Sequence, residues 1–108
     1  MDIKDIHGKV HNGDYLIRSH VVHHALKEGF TRQDMVSAIL NGQIIESYSN
    51  DKRVFVCGRT ERTKTSATYL HIVFDYSDPV YIEFVTAYLS DEAQWERPDF
   101  KRRRRRRR

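Results

Sequence analysis

The feature that most constrains this fold is a change of hydrophobic period at Asn41-Gly42. Before it, apolar residues recur at helical spacing; after it they crowd into short β-branched and aromatic runs. Ile3, Ile6 and Val10 predict a helix over residues 2–11, broken by Asn12-Gly13-Asp14. A second helix is expected to take Ser19 as N-cap, turn Val22, Ala25 and Leu26 inward, and stop at Gly29. Thr31 with Asp34 three residues later is a capping-box pattern for a third helix. That helix carries Met35, Val36, Ile39 and Leu40 inward and ends at Asn41-Gly42.

Ile44–Tyr48, Arg53–Arg59, Ala67–Tyr76 and Val80–Leu89 read as strands. Ser49-Asn50-Asp51 and Ser77-Asp78-Pro79 are turn clusters, and Thr60–Ser66 is a longer polar loop. Short connections favour antiparallel neighbours, so a four-stranded antiparallel meander is expected. Helices first and strands afterwards define an α+β domain with the helices on one sheet face and the other face left free. A two-residue turn at Ser77-Asp78 would set His71 opposite Phe84, with Thr86 and Tyr88 on the same face.

With 108 residues the chain holds one domain, expected over 1–100. No segment reaches the roughly 20 apolar residues of a membrane helix, and the N-terminus lacks a secretory pattern. One cysteine, Cys57, rules out an internal disulfide framework, so a cytoplasmic setting is expected. The +4 formal charge is misleading, because seven cations form the run Arg102–Arg108; without them 12 basic face 15 acidic side chains, a net of −3. The tail, 101–108, is expected to be a disordered arm that attracts polyanions, or equally an extension without a specific role.

Chemistry narrows to a few side chains. His20, His23 and His24 lie on the second helix and His71 on the third predicted strand. A helical His pair with a distant third could hold zinc, but no His-Glu-x-x-His pattern is present and no carboxylate is evident beside the helical histidines. No metal and no cofactor is therefore expected. No glycine-rich phosphate loop or nucleophile elbow exists, and Cys57 within Val54-Phe55-Val56 reads as a structural thiol. The remaining His, Thr, Tyr and Arg side chains suit metal-free phosphodiester chemistry.

Ile17-Arg18-Ser19-His20, then Gly29-Phe30-Thr31, Asp34 and Asn41-Gly42-Gln43-Ile44-Ile45-Glu46 form an ordered series. Leu70-His71-Ile72-Val73, Val85-Thr86-Ala87-Tyr88, Trp95 and a basic end continue it. From Tyr15 to Arg103 the series resembles domain-of-unknown-function family 4258, which in turn resembles RelE-like and barnase-like toxin ribonuclease folds. The resemblance implies RNA cleavage by the substrate's own 2′-hydroxyl and marks His20, His71, Thr86 and Tyr88 as catalytic. His24 stands where the family often carries an Arg, which weakens any phosphate-clamping role there at neutral pH. Arg102 and Arg103 overlap the family's terminal basic pair.

Two functions follow as expectations. One is a metal-independent endoribonuclease, the toxin of a toxin–antitoxin pair, with RNA and a small antitoxin protein as partners and no membrane or small-molecule cofactor. His71 and His20 would supply acid and base, Thr86 and Tyr88 hydroxyl donors, and His24, Arg53, Arg59, Arg97, Arg102 and Arg103 the nucleic-acid contacts. The other is a non-catalytic module binding RNA or protein with the same sheet face. The −3 body weighs against the first, since RNA-binding surfaces are normally basic.

Overall fold

A computed structural model describes residues 1–61 and 67–89. Arg97, Arg102, Arg103, Trp95 and the Arg102–Arg108 tail lie outside the described residues. Helix α1 spans Ile3–Asn12. The Asp2 side chain accepts from the Asp5 N–H and the Asp5 carboxylate takes the Asp2 N–H, while Gly13 ends the helix at φ 77°. Strand β1 is Tyr15–Ile17. Helix α2 covers Ser19–Glu28 and ends at Gly29, φ 90°. Helix α3, Arg32–Leu40, starts on the Thr31/Asp34 capping box. The remaining strands are β2, Gln43–Tyr48, β3, Arg53–Glu61, β4, Ala67–Asp75, and β5, Ile82–Leu89. A 3-10 turn over Ser49–Asp51 joins β2 to β3, with Lys52 in the left-handed region at φ 52°.

The α+β class holds, with three helices, but the sheet has five strands in the order β1-β5-β4-β3-β2 rather than four. The added strand, β1, pairs in parallel with β5, Tyr15 against Ile82. Three residues are too few to display an alternation, and the partner is remote in sequence, so the strand leaves no local pattern. All other neighbours are antiparallel.

The core lies between the helices and one sheet face. Ile6, Val21, Ala25, Met35, Ala38 and Ile39 meet Val56, Leu70, Ile72, Phe74, Phe84 and Ala87 there. Helix α2 turns Val21 and Ala25 inward, not Leu26, which is 60% exposed. Arg18, not Ser19, is its N-cap and makes no side-chain cap bond, so the helix begins one residue earlier than expected. Helix α3 lies directly on β3. A Cβ at Gly58 would stand 1.6 Å from the Ala38 carbonyl oxygen, so only glycine allows this approach. At its start the Thr60 hydroxyl donates to Asp34 Oδ1 at 3.2 Å; at its end His7 Nε2 lies 2.8 Å from the Ile39 oxygen. Among the described residues no helix is long and apolar enough to cross a membrane.

Candidate functional site

The second sheet face is assembled by register. Directly opposed antiparallel residues share a face. Gln43 opposes Cys57, Cys57 opposes His71, and His71 opposes Tyr88, forming one row across four strands. The next row sets Phe55 beside Val73 and Val73 beside Thr86. On the other side of the His71 row, Arg59 opposes Tyr69. His71, Thr86 and Tyr88 are thus brought together, and Tyr88 stands edge-on to the His71 ring with centroids 5.3 Å apart.

His71 does not face Phe84, however. The pairing runs Val73 with Thr86 and then Phe74 with Phe84, so Val85 is an extra residue on β5. A bulge of this kind reverses which side the next side chains take. Phe84 therefore joins the core beside Phe74, ring centroids 4.7 Å apart, on the face away from His71. Nor is the second face free at its centre: Cys57, His71 and Val73 are only 1%, 0% and 4% exposed.

His20 and His24 are exposed on α2, in the helical layer across the sheet from His71. Glu28 partners His24, Nε2 to Oε1 3.1 Å, which corrects the reading that the helical histidines lack a carboxylate. It lies one turn on, a spacing legible as i,i+4. Among the described residues no three His, Cys, Asp or Glu side chains group as a metal site.

Arg53 and Arg59 belong to opposite ends of β3. Arg53 Nε lies 3.6 Å from Asp75 Oδ2, and Arg18 pairs with Glu83 near the same end. Asp75 is held below the usual carboxylate value of 3.8, first by the Ser77 backbone N–H and hydroxyl, then by Arg53. These cations are compensated by neighbouring carboxylates. Arg18, Asp75 and Glu83, with Leu16, Ser77, Asp78, Pro79 and Tyr81, border an open cavity of about 520 Å³. Arg59 lines a groove of about 580 Å³ with Ser37, Asn41, Gln43, Cys57, Gly58 and Tyr69. Sequence reasoning passed over Tyr69, although it lies two residues before His71 and so on the same face. Asn41 reads as part of a helix stop, and Gln43 only as part of the family series.

A family model described as Domain of unknown function (DUF4258) matches residues 17–89. No curated protein and no solved structure matches the chain.

Proposed function

We propose that this chain, which belongs to the DUF4258 family, is a metal-independent endoribonuclease that works on the sheet face bearing His71. The observation that carries this reading is the convergence of His71, Tyr88 and Thr86 from two adjacent strands. His71 takes the proton of an RNA 2′-hydroxyl as its oxygen bonds to phosphorus. The bond from phosphorus to the 5′-oxygen breaks, and that oxygen takes a proton from the Tyr88 phenol. The products are a 2′,3′-cyclic phosphate and a 5′-hydroxyl, and Thr86 donates to the phosphoryl oxygens in between. His20 lies on α2, across the sheet, and takes no part in these proton transfers. As a toxin of RelE-like or barnase-like type, the protein would be held inactive by a small antitoxin protein.

Burial of His71 sets a condition on this chemistry. A ring with 0% exposure meets RNA only after a local opening of the structure around it. The same burial favours a second reading, an RNA-binding module that uses the rim of the face without cleavage. Purified wild type and His71→Ala protein, both shown folded by circular dichroism, are compared for RNA cleavage with EDTA present. A loss of about 10²–10⁴-fold in the variant and cyclic phosphate ends support the nuclease. Equal cleavage by both removes His71, and RNA binding without cleavage by either leaves the module.

A further inference from the structure

We infer that the groove between the end of α3 and the β3–β4 strands is a nucleotide subsite selective for bases carrying an exocyclic amine. The inference rests on the reading of the chain as RNA-directed, yet it uses residues other than the His71 row's proposed chemical groups. The groove's volume, about 580 Å³, falls within the roughly 300–1,000 Å³ of small-ligand sites.

Its two ends differ in electrostatic character. At one end is exposed Arg59, a planar cation suited to bidentate phosphate recognition. Tyr69, directly opposed to Arg59 on the same sheet face, offers a half-buried ring on which a base can stack. At the other end lies the last turn of α3, the negative end of its dipole. Asn41 Nδ2 donates to the Ser37 carbonyl oxygen at 3.0 Å, so the amide's remaining polar atom, Oδ1, is an acceptor. Gln43, exposed at the start of β2, adds a second amide.

Phosphate at Arg59 and base at Asn41 is the orientation these charges favour, since the reverse brings an anion to a helix C-terminus. A base that meets an acceptor-rich end binds best when it donates. Adenine, cytosine and guanine each carry an exocyclic amine with two N–H donors; uracil has none and donates only through its ring N3–H. Gly58, where α3 comes closest to β3, also lines the groove.

The test is calorimetric titration of the full chain with adenosine, cytidine, guanosine and uridine 5′-monophosphates, and with inorganic phosphate alone. The three amine-bearing nucleotides are expected to bind about 10-fold more tightly than the uridine nucleotide, the loss of one well-formed hydrogen bond. Arg59→Gln should weaken all four together, Tyr69→Leu likewise, and Asn41→Ala should erase the preference while thermal melts confirm a folded protein. Equal affinity for all four nucleotides, phosphate binding as tightly as they do, or binding unaffected by these substitutions overturns the inference. Nucleotide binding at this groove by a protein that never cleaves RNA would sink the nuclease and leave the subsite standing. RNA cleavage with no nucleotide binding would do the reverse.

Discussion

Replacing Gly58 by Ala adds a single methyl group at the most crowded point between helix and sheet. The new Cβ would lie 1.6 Å from the Ala38 oxygen, 2.5 Å from its carbonyl carbon and 3.0 Å from its Cα. All three are backbone atoms of α3, so no rotamer change relieves the clash. The helix must lift by about 2 Å to restore contact near the 3.5–4.0 Å optimum, opening gaps around Met35, Ala38 and Ile39, each 0% exposed. Overpacked cores cost typically about 1–3 kcal/mol, and rigid backbone on the receiving side puts this case at the top of that range. For a domain of this size about 3 kcal/mol corresponds to a fall of roughly 12–24 °C in Tm. Two controls separate sterics from backbone freedom. Gly8 lies within α1 with nothing within 4 Å of an added Cβ, so Gly8→Ala should raise stability by about 0.5–1 kcal/mol. Gly13 is equally open but sits at φ 77°, so Gly13→Ala should cost about 1–2 kcal/mol by strain alone. Thermal melts followed by circular dichroism at 222 nm compare the series. A Gly58→Ala protein melting within about 2 °C of wild type refutes the contact between α3 and β3 as described.

Ile39→Ala, at a fully buried site, should cost about 2–5 kcal/mol, whereas exposed Leu26→Ala should stay within about 0.5 kcal/mol. Urea midpoints measure both, and a large loss at Leu26 would mean that α2 is rotated from the orientation given above. Asp75 has a lowered folded-state pKa, so its ionised form contributes stability above the unfolded value of 3.8, lost as pH falls through the folded value. Asp75→Asn should therefore lower the urea midpoint at pH 7 and reduce the decline on going to pH 3. An unchanged acid limb in the variant would dismiss this contribution.

Local patterns carried most of the fold. Asp34 three residues after Thr31, and Gly29 after a helical run, each specify an end through one hydrogen bond or one left-handed residue, so both are visible within five residues of sequence. Helix α2 was harder, because Val21, Val22, Ala25 and Leu26 allow two inward faces about one residue apart. Packing against β5 selects Val21 and Ala25. The site was legible in its residue types more than its geometry. Thr86 and Tyr88 do share a face with His71, but through a pairing set by the Val85 bulge, which a regular alternation cannot contain. The groove brings Asn41 from a helix end to Arg59 and Tyr69 on the sheet, a meeting decided by how closely Gly58 admits α3.

The parallel pairing of β1 with β5 has a kinetic consequence. Tyr15 finds its strand partner at Ile82, and β5 lies inside the sheet between β1 and β4, not at its edge. During synthesis, α1 to α3 emerge first, yet Val21 and Ala25 gain the Phe84 and Ala87 surfaces only when β5 arrives. Until then the growing chain carries an unmatched apolar helix face and an unpaired β4 edge, the combination that invites pairing with another copy. Closure over such a sequence separation is entropically slow. The fate of each newly made molecule is therefore decided at its last described strand: ribosome stalling or truncation before Ile82 should yield aggregates, not a smaller folded domain.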